Sequence, residues 1–163
     1  MELYVAHPDD IGAIRGIARA SWKHDYPDIL SRESVETAVN DWYGEDRLRN
    51  ELADPWTHIH VATDGEGSIV GFAHAVLDGD EGNVFRVYVH PDARREGAGE
   101  ALFDRVRREL VRHDIDRLNA MVLADNAIGN DFYADRGFEL VERAETRIGG
   151  EPFEENTYAD EFA

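Results

Sequence analysis

The stretch Val87-Tyr88-Val89-His90-Pro91-Asp92-Ala93-Arg94-Arg95-Glu96-Gly97-Ala98-Gly99-Glu100-Ala101-Leu102 holds the residues best placed to do chemistry. A β-type run enters it and an amphipathic helical pattern leaves it. Arg94 stands three residues before Gly97 and five before Gly99. Glycines at a helix start let the backbone approach a ligand closely, because no Cβ intervenes. The free N–H groups of a first helical turn point outward and carry about half a positive charge. Such a loop suits a phosphate or pyrophosphate. Arg94 and Arg95 add fixed positive charge on fork-shaped donors. The purely structural alternative is that Gly97 and Gly99 make a tight strand-to-helix turn.

Two common nucleotide loops do not fit. There is no Gly-Lys-Ser/Thr, and the only lysine, Lys23, lies far from the glycines. A dinucleotide fingerprint needs a third glycine where this chain has Leu102, and it expects to follow the first strand of a parallel unit. Here three strand patterns come first, two of them a hairpin.

Arg94-Arg95-Glu96-Gly97-Ala98-Gly99 resembles the Arg/Gln-x-x-Gly-x-Gly/Ala loop of the GNAT-type N-acetyltransferases, which binds the pyrophosphate of acetyl-coenzyme A. Phe85 to Val89 followed by His90-Pro91 resembles that family's approach to the loop. Leu123-Ala124-Asp125-Asn126, then Phe132-Tyr133, then Gly137-Phe138, resembles its second signature. The resemblance covers about residues 1 to 145 in element order and is sharpest over 84 to 139. It implies one α+β domain over residues 1–163, with a mixed, mostly antiparallel central sheet flanked by helices.

The resemblance also implies a reaction. An amine attacks the thioester carbonyl of acetyl-CoA, and coenzyme A leaves as a thiolate. The amine must be neutral, although a free alkylamine has a pKa near ~10. The oxyanion needs a preplaced donor, and the thiolate benefits from a proton. By resemblance, the donor is a backbone N–H within Val87 to Val89, and the acid is Tyr133, seven residues after Asn126. A neutral phenol can donate at pH 7 without an unusual shift. The implied cofactor contacts are Val87, Val89, Arg94, Arg95, Glu96, Gly97, Ala98, Gly99, Asn126 and Tyr133. Asn126 also reads as a helix N-cap. Phe132 reads as a core aromatic, with Tyr133 facing elsewhere.

A general base is harder to place. The strand Leu118-Asn119-Ala120-Met121-Val122 carries no carboxylate where the family often has one. Glu81 is the nearest candidate, and it also fits an exposed Asp78-Gly79-Asp80-Glu81 turn. His60 and His74 read as half-buried strand histidines that titrate near neutrality. His58 and His60 share a strand face, but no third ligand accompanies them, so no metal is expected. Trp22, Tyr26, Trp42, Tyr43 and Trp56, interleaved with Asp25, Asp28 and Asp41, suit a cationic acceptor or simple packing. A small-molecule or peptide amine is the expected acceptor. An acyl-CoA-binding sensor without turnover, and a transferase using longer acyl chains or hydroxyl acceptors, are the alternatives.

Positioning these groups requires a particular order of elements. Glu2 to Ala6 reads as a strand, and about residues 9 to 22 as a helix with Ile11, Ile14, Ile17 and Ala18 on one face. Ser31 or Ser34 caps a second helix, and 41 to 53 reads as helical with an interruption near Gly44. Strands follow at His58–Ala62, Ile69–Leu77 and Val84–Val89. Next come an amphipathic helix through Ala101, Leu102, Val106, Leu110 and Val111, a strand at 118–123 and a short helix at 126–136 closed by Gly137. A strand begins at Phe138, and a polar tail from Arg147 forms a last one. That tail covers its own sheet or pairs with another subunit, so a homodimer stays open.

Composition bounds the setting. The chain has 163 residues, no cysteine, 35 acidic and 17 basic residues, and a net charge of −18. Disulfides, thiolate metal sites and Cys nucleophiles are excluded. The charge disfavours nucleic acid and anionic membrane. A lysine-poor acidic surface fits a high-salt cytoplasm or a GC-rich genome. The amino-terminal residues show no secretory pattern, so a cytoplasmic address is expected. Charge is uneven: Arg86 to Arg117 holds eight Arg against seven acidic residues. That stretch faces an anion, or it simply forms helical ion pairs.

Overall fold

A computed structural model of the protein describes residues 1–25, 31–148 and 150–162. Seven strands form one sheet in the order β1-β2-β3-β4-β5-β7-β6. They are β1 (Glu2–Val5), β2 (Thr57–Thr63), β3 (Ile69–Asp78), β4 (Glu81–Val89), β5 (Arg117–Leu123), β6 (Glu139–Ile148) and β7 (Glu151–Glu161). Every neighbouring pair is antiparallel except β4 and β5. Helices α1 (Ile11–Asp25), α2 (Arg32–Tyr43) and α3 (Glu45–Ala53) cover one face of the sheet, while α4 (Ala98–Val111) and α5 (Ala127–Asp135) cover the other. This is the mixed, mostly antiparallel α+β domain that the sequence implied.

Local signals build these elements. Ile11, Ile14, Ile17, Ala18, Ser21 and Trp22 recur every three or four residues and are buried. Ser31 caps α2, its Oγ accepting from the Ser34 N–H at 3.1 Å. Gly137 has φ +86 and closes α5, its N–H donating to the Ala134 carbonyl while the Phe138 N–H donates to that of Tyr133.

Two boundaries depart from the sequence reading. Helix α1 runs on through His24 and Asp25, where a break was expected. Strand β4 begins at Glu81 rather than Val84, because Gly82 is a strand residue and not part of the turn. A Cβ on Gly82 would lie 3.1–3.2 Å from the Ile115, Leu110 and Leu118 side chains, so the glycine lets the sheet sit close beneath α4. The tail, expected to form a last strand that covers its own sheet or pairs with another subunit, does form a last strand, β7, and it inserts between β5 and β6.

The feature that positions the site is a fork. Strands β4 and β5 pair only over Glu81–Val84 and Arg117–Ala120. Beyond that they part, while β4 stays paired to β3 and β5 to β7. A β-bulge at the opening supplies the divergence: His74 faces Arg86 and Ala75 faces Val84, leaving Phe85 as the extra residue.

Candidate active site

One prong of the fork leads into the glycine loop. The His90 N–H donates to the Val70 carbonyl on β3. In an antiparallel ladder alternate residues face the same neighbour, so Tyr88 and Arg86 also turn their backbone toward β3. Val87 and Val89 therefore turn theirs into the fork. Past Val89 the chain makes a short 3-10 turn and enters α4. Arg95 has φ +68 and Gly97 has φ +87, two left-handed residues two apart. Such alternation curls successive N–H groups into a concave nest. Gly97 is the N-cap of α4 and provides no side-chain cap, so the first-turn N–H groups of α4 stay open.

The two loop arginines do different work. Arg94 donates to both oxygens of Asp25, at 2.6 and 3.0 Å, and through Nε to the Val89 carbonyl at 3.1 Å. It ties the loop to the end of α1. Arg95 is exposed beside the nest, as is Glu96, while Ala98 is buried and Gly99 half-buried.

Tyr133 comes from α5 and packs among Phe103, Phe132, Phe138 and Tyr158, with ring centroids 5.2–5.9 Å away. It is more buried than Phe132, the reverse of the sequence expectation. Burial pushes its phenol well above the ordinary range, partly offset by the positive charges of Arg86 and Arg136. Tyr133 is thus held neutral within electrostatic reach of β4. Its hydroxyl has no hydrogen-bond partner among the described residues.

Asn126 caps α5, its Oδ1 accepting from the Gly129 N–H at 2.9 Å. Asn130, which sequence reasoning passed over, is the hub that fixes the other prong. Its Nδ2 donates to the carbonyls of Leu123, Ala124 and Asn126, and its Oδ1 accepts from Asn156 and Tyr158 at 2.7 Å each.

The candidate base does not join this group. Glu81 sits at the closed end of the β4–β5 pair, 3.6 Å from Arg117. It lies six positions before Val87, roughly 20 Å of extended chain. It borders an open cleft of about 580 Å³ with Asn83, Asn119, Met121, Glu142 and Thr157. His60 and His74 are buried within their strands, and burial lowers each to about 4. Both are neutral at pH 7. Among the described residues no three His, Asp or Glu side chains gather to hold a metal ion.

The carboxylate the structure does bring to the fork is Glu155 on β7. Its Oε2 accepts from Arg86 Nη2 at 3.2 Å. Arg86 springs from the bulge, also bonds the Phe85 carbonyl, and stacks 4.3 Å above the Trp42 ring. Burial disfavours its charge, but Tyr88, Tyr43 and Glu155 outweigh that and raise its pKa. Of the expected acceptor aromatics, Trp22 and Tyr43 are fully packed against Phe72 and Tyr88, and the Trp22 indole donates to the Tyr88 hydroxyl at 2.7 Å. Trp56 is exposed on the turn before β2, Asp41 is exposed, and Tyr26 and Asp28 lie outside the described residues.

A splayed parallel pair, an uncapped glycine-led helix and a buried tyrosine after the second prong define a GNAT-type acetyltransferase. The sequence profile of the acetyltransferase (GNAT) domain matches residues 27–153, and the chain belongs to this family of acetyl-CoA-dependent N-acetyltransferases. It is similar to the spermidine N(1)-acetyltransferase of Thermoplasma acidophilum, 23% identical over 135 residues, covering 81% of this chain and 84% of that one. An acetyltransferase of Yersinia pestis (strain Pestoides F) is 34% identical over 112 residues, covering 60% of this chain and 76% of that one. Among solved structures, the PaiA N-acetyltransferase of T. acidophilum in complex with coenzyme A superposes with a TM-score of 0.83 at 21% identity, covering 99% and 98% of the two chains. A GCN5-related N-acetyltransferase from Rhodopseudomonas palustris does so with 0.82 at 25% identity, covering 99% and 95%.

Proposed function

We propose that this protein transfers the acetyl group of acetyl-CoA to a primary amine by direct attack in a ternary complex. The observation that carries the reading is the nest at Arg95–Gly99 opening beside the fork. The backbone N–H groups of Arg95, Glu96, Gly97, Ala98 and Gly99 hold the pyrophosphate, with Arg95 as the exposed cation. Arg94 positions the loop through Asp25. The pantetheine arm lies along the unpaired edge of β4, bonding Val87 and Val89. Val87 or Val89 offers its N–H to the thioester oxygen, where negative charge develops on attack. Asn126 borders the arm from the start of α5.

Tyr133 serves as general acid. Burial keeps its phenol protonated at pH 7, so a proton is available for the sulfur; the same shift makes the transfer uphill unless the departing thiolate is desolvated alongside it. Glu81 remains a candidate base only through bridging waters, given its distance along β4.

The acceptor is a small amine or a peptide amine. The similarity to a spermidine acetyltransferase supports a polyamine among the candidates. A net charge of −18 attracts such cations and disfavours nucleic acid or anionic membrane as partners. Among the described residues no helix is long and apolar enough to cross a membrane. We place the protein in the cytoplasm.

The test is to incubate the protein with acetyl-CoA in high salt, add a panel of amines and measure thiol release. Turnover on a primary amine is expected. Coenzyme A binding without turnover on any acceptor would instead identify an acyl-CoA-binding module.

A further inference from the structure

The reaction needs a group to take the proton that the acceptor nitrogen sheds, and neither β5 nor Glu81 supplies one at the open end of the fork. We propose that Glu155, on β7, is that proton acceptor. The inference rests on the transferase reading above.

Three observations carry it. First, topology brings Glu155 to the fork. It pairs in register with Leu123, the last residue of β5, on the prong that has already parted from β4. Arg86 spans the gap from the bulge of β4 to reach it, so the carboxylate stands across the fork from the Arg86 guanidinium. Second, only one oxygen is engaged. Oε2 meets Arg86, whereas Oε1 has no hydrogen-bond partner among the described residues, and the side chain is 21% exposed. An incoming amine can therefore meet a carboxylate oxygen without breaking the Arg86 contact. Third, the surroundings hold the carboxylate in a fixed place. Arg86 and Tyr88 face it from β4, and the nearest acidic neighbour on the same face by register is Glu142 of β6, beside Thr157.

The step balances. The acceptor enters as its neutral fraction, its ammonium proton lost to solvent; the nitrogen lone pair attacks the thioester carbon, the N–C bond forms and the C–S bond breaks. The nitrogen becomes cationic and far more acidic than the free ammonium, so a carboxylate suffices to take its proton. That proton goes to Glu155 Oε1, and the thiolate takes the Tyr133 proton. Water then carries the proton from Glu155 back to the Tyr133 phenolate.

The experiment uses the full chain and the best wild-type acceptor among spermidine, a lysine-bearing peptide and an alanine-ended peptide. Glu155→Gln keeps the shape and an oxygen for Arg86. It is expected to lower kcat/KM by roughly a hundredfold, the usual weight of a general base, with coenzyme A affinity within about twofold of wild type. Glu155→Asp is expected to recover part of the rate. In Glu155→Ala, formate is expected to restore activity in proportion to its concentration, whereas chloride at equal ionic strength is not, because chloride supplies the charge without the basicity. Wild-type turnover in Glu155→Gln, or equal rescue by chloride, would overturn the proposal and leave Glu155 a counter-ion of Arg86. Absence of wild-type turnover would instead overturn the transferase reading, and the proposal with it.

Discussion

Gly97 and Gly99 sit two residues apart in the same loop, yet the structure assigns them opposite responses to substitution. Gly97 has φ +87, and a Cβ there would find no atom within 4 Å. Alanine at 97 meets no steric obstacle and pays only for the left-handed conformation, about 1–2 kcal/mol. For a chain of this size that lowers Tm by roughly 2–8 °C. Gly99 lies in the first turn of α4 with ordinary helical backbone, and its added Cβ would meet Val89 Cγ2 at 3.5 Å, a normal contact. Alanine at 99 removes glycine's entropic penalty, worth up to about 1 kcal/mol in a helix. The Gly99→Ala variant should therefore melt at or above the wild-type temperature.

Binding should respond differently. Leucine at 99 places a longer side chain over the open N–H groups of α4. Denying the cofactor a single hydrogen bond to a charged phosphate removes about 1.5–3 kcal/mol, a roughly ten- to hundredfold weaker Kd. Thermal melts and calorimetric titration with coenzyme A, both at constant salt, measure the two effects separately. Wild-type affinity in Gly99→Leu would refute the nest as the diphosphate site. A larger Tm loss in Gly99→Ala than in Gly97→Ala would refute the conformational assignment.

Three further outcomes are expected. Tyr133→Phe should keep the fold and coenzyme A affinity, because the lost hydroxyl has no partner among the described residues, while kcat falls on the order of a hundredfold; a wild-type kcat in steady-state assays removes Tyr133 from the acid role. His60 and His74 have folded pKa values of about 4 against 6.5 in the free side chain, so between those values the unfolded chain binds more protons. Stability is therefore full above pH 6.5 and falls as pH drops toward 4, by on the order of 3 kcal/mol for each; urea midpoints that drop equally in a His60→Gln, His74→Gln double variant would exclude this origin. Raising salt from ~0.1 M to ~1 M shortens the Debye length from about 10 to 3 Å and should raise Tm by screening the −18 charge; a flat or falling Tm would argue against a salt-adapted surface.

The elements legible in the sequence are those whose side chains sort by burial. Helix α4 was plain because Leu102, Phe103, Val106 and Leu110 all face the sheet. Strand β6 is legible only where it begins, at Phe138 to Val141, because nearly all of Glu139–Arg147 is exposed and its charges show no alternation with apolar residues. What holds β6 is its ladder to β7, and pairing between backbones leaves little trace in side-chain type. The turn before β4 is shorter than its residue types suggest, for a similar reason. Gly82 looks like a turn residue, and only the packing of Ile115, Leu110 and Leu118 above it explains a glycine inside a strand.

The same division runs through the site. The loop Arg95 to Gly99 stands out in the sequence through its glycines, its helix start and the family resemblance they carry, because its conformation is encoded locally in contiguous chain. Glu155 does not. It sits 32 residues beyond Leu123 in sequence, and it reaches the fork because β7 inserts between β5 and β6 rather than adding at the edge. Had the chain closed the sheet in sequence order, β6 would border β5 and the carboxylate would stand one strand farther from Arg86. The proton-accepting position in this fold is thus set by strand order. Strands β4 and β5 themselves carry only Glu81, a carboxylate at the closed end of the fork, while the one within reach of Arg86 arrives from the carboxy-terminal hairpin.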